Sequence, residues 1–327
     1  MRELISNLGI QLREALEIGR KTEFTRSTRP IKNIVICGMG GSGIGGTIVS
    51  ELVQHELNVP VVVVKNYNMP SFVNQHTLVL ANSYSGNTEE TLNLIQQARE
   101  VDSQICVITS GGNAREMAQR NNWNHYVIPA GNPPRSMLAY SITLQLFVLK
   151  RYELLDIDFE ASIERFVDYW SENESTIQNE AEEVANQLVG KTPVIYSTAP
   201  NEGIAVRLRQ QLNENSKMLC WHAVIPEMNH NELVGWTSGN EDIAVLLLRN
   251  HSDFERNQMR IEINKEIIQP FSPNIYEIWS PESTRVEETL FHIHFGDWIS
   301  YFLSERNGVD IMAIEAIDHL KSELEKM

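Results

Sequence analysis

Residues 33–46, NIVICGMGGSGIGG, place an asparagine and a four-residue apolar run ahead of six glycines. Asn33–Cys37 is apolar on both faces, the pattern of a strand covered on both sides of a parallel sheet. The glycine run predicts a tight turn feeding a helix that continues through Leu52. A strand, a glycine-rich turn and a helix make the first unit of a doubly wound α/β fold. Gly38, Gly40 and Gly43 also fit the Gly-x-Gly-x-x-Gly spacing of a dinucleotide-binding turn.

The alternation continues outward from this stretch. Val59–Val64, Thr77–Asn82, Gln104–Thr109 and His125–Pro129 read as strands. Glu89–Glu100, a short segment around Ala114–Arg120 and Met137–Lys150 read as helices. After an acidic helical connector, Asp156–Leu188, the pattern repeats more weakly. Its strands are Pro193–Ser197, Met218–Val224, Ile243–Leu248 and Ile275–Trp279, and its helices Gly203–Asn213, Glu255–Ile268 and Glu287–Glu305. The expected fold class is α/β: two flavodoxin-like, doubly wound parallel-sheet domains in tandem, over residues 1–153 and 154–327. An amphipathic N-terminal helix precedes them and a helix at Ile314–Glu325 ends the chain.

The 327 residues suit two domains of about 150 each. Forty-three acidic against 27 basic residues give a net charge of −16. Such a surface repels phosphate backbones and anionic lipids, so neither nucleic acid nor membrane is an expected partner. A local pocket of backbone N–H groups and a few cations still suffices for a small anion. Cys37, Cys106 and Cys220 are far apart and form no Cys-x-x-Cys pair, which suggests reduced core thiols of a cytoplasmic protein. The N-terminus lacks the continuous apolar stretch of a signal peptide.

What the glycine loop holds is open at this point. A dinucleotide site expects an acidic residue at the end of the second strand for the ribose hydroxyls. Here that strand ends in Lys65 and Asn66. Lys65 leaves an NADP variant as one reading, and tight helix–strand packing is another. The third is close backbone approach to a ligand. The loop NSYSGNTEET, residues 82–91, bears on the choice: Ser83, Ser85 and Thr88 surround Gly86 between a strand and a helix start. Thr88 alone would serve as an N-cap. Three hydroxyls and the N–H groups of a helix N-terminus instead make a cradle for a phosphate monoester.

GMGGSG followed by SYSGNTEET, in a chain of this length with two α/β halves, resembles the sugar isomerase (SIS) domain. With the further motifs below, the chain resembles the bifunctional phosphoglucose/phosphomannose isomerases from about Asn33 to Lys321. The resemblance implies two SIS domains and a reversible isomerisation of glucose 6-phosphate, and of mannose 6-phosphate, to fructose 6-phosphate. It also implies a small-molecule sugar phosphate as ligand, no cofactor, no metal, and a homodimer with shared active sites. Gly41, Ser42, Ser83, Ser85 and Thr88 fall in its phosphate loops. In GNPPRSMLAY, residues 131–140, the Pro-Pro pair fixes the chain's approach to Arg135. By resemblance Arg135 stabilises the enediolate, an electrostatic role. Glu214, in Asn-Glu-Asn-Ser-Lys, corresponds to the proton-shuttling base. His230, in PEMNHNELVGW, corresponds to the ring-opening histidine that the dimer partner supplies, and imidazole suits acid–base work near neutrality. Lys321, in Ile-Asp-His-Leu-Lys, corresponds to a lysine that assists ring opening. Asp310-Ile311-Met312 departs from the family's Asp-Pro followed by Thr, a threonine linked to accepting mannose 6-phosphate.

His292 and His294, at i and i+2, point to different faces of a helix and make a poor zinc pair. The scattered tryptophans, Trp221, Trp236 and Trp298 among them, read as core or interface residues. No Walker Gly-Lys-Ser and no Gly-x-Ser-x-Gly elbow occurs. The competing reading is a sugar-phosphate-binding regulator that keeps the cradle and has lost turnover. A pure binder, however, needs none of Glu214, His230, Arg135 or Lys321.

Overall fold

A computed structural model describes residues 1–27, 29–324 and 326 of the chain. It divides into two compact units. The N-terminal unit comprises Ser6–Glu172 with Thr284–Glu287, and the C-terminal unit Met1–Ile5, Asn173–Ser283 and Glu288–Met327.

The chain opens with α1 (Arg2–Ser6) and α2 (Leu8–Lys21), where the sequence predicts one helix. Asn7 separates them with φ −80° and ψ 8°, outside the helical well. Asparagine is a residue whose side chain competes with the backbone's helical bonds. Then follow β1 (Asn33–Cys37), α3 (Gly40–Leu52), β2 (Val61–Val64), β3 (Thr77–Asn82) and α4 (Glu89–Glu100). β4 (Gln104–Thr109), α5 (Gly112–Arg120), β5 (Asn124–Val127) and α6 (Leu138–Arg151) complete the series. All five strands are parallel, in the order β2-β1-β3-β4-β5. Every residue of β3 is buried, as expected of a strand covered on both faces. β5 stops at Val127, short of Pro129, which has no N–H to extend a ladder.

The second series is α7 (Phe159–Leu188), β6 (Thr192–Thr198), α8 (Glu202–Glu214), β7 (Trp221–Ile225), α9 (Glu232–Gly235) and β8 (Ile243–Arg249). α10 (Glu255–Ile268), β9 (Ile275–Trp279), α11 (Arg285–Arg306) and α12 (Glu315–Leu324) follow. Glu325, the expected end of the last helix, lies outside the described residues. The second sheet is also parallel, in the order β7-β6-β8-β9. It reproduces the first four positions of the other sheet, so the repeat read from the sequence is topological as well. β7 begins at Trp221 and not at Met218. Lys217 has φ 57°, and the Met218 N–H bonds back to Leu212 O at 3.2 Å, so the chain is still closing α8 there. Cys220 therefore precedes the strand and is only partly buried, whereas Cys37 and Cys106 are buried in β1 and β4; all three thiols are free. Burial pushes Cys37 up to about 12 and Cys220 to about 11, which keeps both protonated.

α11 is the most polar buried helix. His292 Nε2 pairs with Asn250 Oδ1 at 2.9 Å, and His294 Nε2 accepts from Trp298 Nε1 at 3.0 Å. Complete burial lowers His292 to about 4 and His294 to about 3. Unfolding releases these rings to their ordinary value near 6.5, so below that pH the unfolded chain binds more protons than the folded one. Stability should thus fall as pH drops from about 6.5 toward 4, by about 2 kcal/mol per histidine at pH 5. Urea midpoints at pH 7 and pH 5 check this. An equal shift from His292→Asn/His294→Asn protein would trace the loss to other groups.

Candidate active site

In an open parallel sheet, ligands settle at the carboxyl ends of the strands where the strand order reverses. In the N-terminal unit that point lies between β1 and β3. The segments leaving these two strands carry Ser42, in the first turn of α3, and the run Ser83–Thr88.

Glycine lets the elements approach closely enough to form the crevice. A Cβ on Gly45 would lie 2.1 Å from Ser141 Oγ of α6, and one on Gly38 would lie 2.8 Å from Asn82 O. Gly41 faces the Pro-Pro-Arg turn: its added Cβ would stand 3.1 Å from Pro134 O and 3.5 Å from Arg135 Cα. The first turn of α3 and Arg135 are therefore neighbours. Arg135, in the 3-10 turn Pro134–Ser136, is only 5% exposed. Gly86 sits at φ +70°, and a Cβ there would come within 1.9 Å of Gly111 O. That combination admits only glycine.

The hydroxyls are held in place by their neighbours. Ser42 Oγ accepts from Tyr84 N at 3.2 Å, and Ser83 Oγ donates to Thr88 Oγ1 at 3.1 Å. Ser85 Oγ accepts from Asn87 N at 3.2 Å. Thr88 occupies the N-cap position of α4, yet its side chain makes no capping bond. Its hydroxyl thus belongs with the serines rather than with the helix. In the first turn of α3 the Ser42 and Gly43 N–H groups bond back to Met39 O at 3.0 and 3.1 Å, while helix geometry gives the leading N–H groups of α3 and α4 no acceptor of their own helix. A phosphate monoester needs such donors, both hydroxyl and backbone.

Two residues absent from the sequence reading organise this cradle. Tyr84 links three loops. Its N–H donates to Ser42, its carbonyl accepts from Ser110 Oγ at 2.6 Å, and its hydroxyl accepts from Asn132 N at 3.0 Å. Asn132 stands three residues before Arg135, so Tyr84 ties the phosphate loop to the arginine's turn. Asn82 Nδ2 donates to Ser42 O at 3.0 Å and to Ser141 Oγ at 2.6 Å, anchoring the same loop to α6. An asparagine ending a buried strand was the only signal for it.

Glu214, His230 and Lys321 belong to the C-terminal unit, on three different elements. Glu214 is the last residue of α8 and half-buried. The two residues after it are pinned: Asn215 Nδ2 donates to Ser300 Oγ at 3.0 Å and Ser216 Oγ to Ser300 O at 2.8 Å. His230 ends the 3-10 turn Glu227–His230 and is exposed. Lys321 lies on α12, which buries none of its residues. Met312 is 45% exposed, with its N–H bonded to Asp310 Oδ1 at 2.8 Å. Lys65, the residue behind the NADP reading, is exposed, with its Cε 3.5 Å from where a Gly43 Cβ would be. Trp236 and Trp298 are core residues, while Trp221 is 37% exposed. Among the described residues no three His, Cys, Asp or Glu side chains cluster as a metal cage, and no helix is long and apolar enough to cross a membrane.

Comparison with known proteins bears on the family of the chain. The SIS domain family matches residues 29–152, and the bacterial phospho-glucose isomerase C-terminal SIS domain matches residues 177–324. A bifunctional phosphoglucose/phosphomannose isomerase of Aquifex aeolicus is 34% identical over 93% of this chain and 94% of its own. One from Thermoplasma volcanium is 34% identical over 95% and 98%. A D-glucosamine-6-phosphate 4-epimerase of Sulfolobus acidocaldarius is 31% identical over 73% and 75%. Among solved structures, the glucosamine-6-phosphate deaminase of Thermotoga maritima superposes with a TM-score of 0.71 at 13% identity, covering 94% of this chain and 95% of that one. The tagatose-6-phosphate ketose/aldose isomerase of Escherichia coli gives 0.68 at 14%, covering 95% and 94%. At such identities these structures speak for the fold alone. Near-full-length identity of 34%, both domain matches and the hydroxyl cradle at the β1/β3 switch point together place this chain in the bifunctional phosphoglucose/phosphomannose isomerase family of two-SIS-domain proteins.

Proposed function

We propose that this chain is an aldose–ketose isomerase interconverting glucose 6-phosphate and fructose 6-phosphate through a cis-enediol, with mannose 6-phosphate as a second aldose substrate. The observation that carries the reading is the cradle of Ser42, Ser83, Ser85 and Thr88 beside buried Arg135 at the sheet's switch point. A monophosphate held there leaves the sugar end for chemistry. His230 and Lys321 open the ring: as C1–O5 breaks, O5 gains a proton and the C1 hydroxyl loses one. Glu214 removes the C2 proton of the open aldose and returns it to C1, while the hydroxyl proton passes from O2 to O1. Arg135 stabilises the negative charge that collects on the C1 and C2 oxygens between these steps.

Residues 1–153 and 154–327 are the two SIS domains in this reading. The working form is a homodimer in which the partner chain supplies His230, and the protein acts in the cytoplasm, in hexose phosphate metabolism. Three free thiols accord with a reducing compartment.

The test is a coupled assay of both aldose phosphates against fructose 6-phosphate, with and without EDTA. Turnover with glucose 6-phosphate that survives EDTA is expected. Binding of sugar phosphate by calorimetry with no turnover would favour the regulator. The epimerase relative adds one further check: product with a changed configuration at C4 would replace isomerisation by epimerisation.

A further inference from the structure

We propose that Glu232 is the positioning residue for His230, fixing the histidine's loop onto the sheet through a hydrogen-bonded relay whose inner members, Tyr196 and Trp236, are buried. The inference rests on the ring-opening role proposed for His230 and adds what gives that exposed side chain a defined place.

His230 projects from a short turn, where nothing in the backbone alone restricts it. Both flanking residues are tied. Asn229 Nδ2 donates to Asn264 Oδ1 of α10 at 2.7 Å, and Asn231 Nδ2 donates to Glu227 Oε1 at 3.2 Å. Asn231 Oδ1 also caps α9 by accepting from Glu232 N at 2.6 Å. The Asn231 bonds shape the turn and the Asn229 bond ties it to α10, while Glu232 ties it to the sheet. Its Oε1 accepts from the Tyr196 hydroxyl at 2.5 Å and from Trp221 Nε1 at 3.1 Å. Tyr196 lies in β6 and Trp221 in β7, so one carboxylate oxygen joins the turn to two strands. The Tyr196 oxygen in turn accepts from Trp236 Nε1 at 2.9 Å.

The relay is built to hold position. Tyr196 is fully buried and Trp236 is 4% exposed, so their polar atoms have no water to fall back on. Burial and the adjacent carboxylate push the Tyr196 hydroxyl far above its ordinary value, which keeps it a donor. A hydrogen bond to an ionised acceptor is roughly twice as strong as a neutral one. Glu232 is two residues from His230, and a displacement of about 1 Å in a catalytic group is enough to cost about 100-fold in rate.

The test is a double-mutant cycle on the assembled enzyme. Glu232→Ala is expected to lower kcat about tenfold or more with KM within about twofold, and Glu232→Gln, which retains an acceptor oxygen, to restore most of it. The deciding comparison uses His230→Ala, whose residual turnover is fed by unaided ring opening in solution. There Glu232→Ala should have no further effect, because its target is gone. Tyr196→Phe, which removes the relay's middle hydroxyl and is the milder change for folding, should follow the same pattern. Additive losses in the two backgrounds, or full activity in both Glu232→Ala and Tyr196→Phe, would overturn the assignment. Full activity in His230→Ala itself would instead sink the role of His230 on which it rests.

Discussion

Glu214→Gln is expected to lower isomerase turnover by roughly 10³-fold while leaving the fold and phosphate binding intact. Glutamine matches glutamate in size and hydrogen-bonding reach but cannot take a proton from C2. Glu214 is half-buried at the end of α8, and the turn beyond it is held by Asn215 and Ser216 on Ser300. Those bonds persist in the variant. The cradle lies in the N-terminal unit, so inorganic phosphate should inhibit or bind with a Kd within about twofold of the parent. A loss confined to kcat marks a group that acts in the transition state. Deuterium at C2 of the aldose provides a second readout, since its transfer is the step removed. Full turnover in folded Glu214→Gln protein would discard the proposed proton path.

What could be read from the sequence follows from how local each signal is. β1, β3, β4, β9, α4 and α10 have the bounds the sequence predicts. Each is an apolar or periodic run stopped by turn residues, so its ends are decided within a few positions. The break at Asn7 and the late start of β7 are different. The second depends on Met218 N reaching back to Leu212, which no pattern in MLCWHAV announces. The phosphate hydroxyls stood out because three fell around one glycine in a strand-to-helix loop. Tyr84, between Ser83 and Ser85, did not, because its partner Asn132 is 48 positions away and joins it only in the fold. Glu232 was hidden likewise: it reads as the first acidic residue of a helix, and its bonds to Tyr196 and Trp221 come from sheet pairing. The chemical side chains were thus more legible than the residues that aim them.

The largest effect on stability should come from Asp297→Ala, with a loss of about 3–5 kcal/mol. Arg207 of α8 donates through one guanidinium nitrogen to both Asp297 oxygens, at 3.0 and 3.1 Å, and Gln211, one turn on, donates to Oδ1 at 2.8 Å. The arginine side chain is 2% exposed. Removing the carboxylate takes two hydrogen bonds and an adjacent negative charge from a buried guanidinium and one bond from a buried amide, and weakening the pairing of a desolvated charge is a costly core defect. The cost lies in taking this carboxylate from a buried cation rather than in any large net gain from the pair. It follows that Arg207→Met/Asp297→Leu should recover most of the loss, falling short by the unmet donor of Gln211, about 1–3 kcal/mol. Because Arg207 and Gln211 lie two and one turns before Glu214 on the same helix, the single variant should also lose turnover in proportion to its loosened α8. Urea midpoints of the parent, the single and the double variant decide the matter. A single variant within 1 kcal/mol of the parent would mean that water or other groups compensate Arg207, and a double variant as unstable as the single would mean that the pair itself, not the loss of its carboxylate, carries the energy.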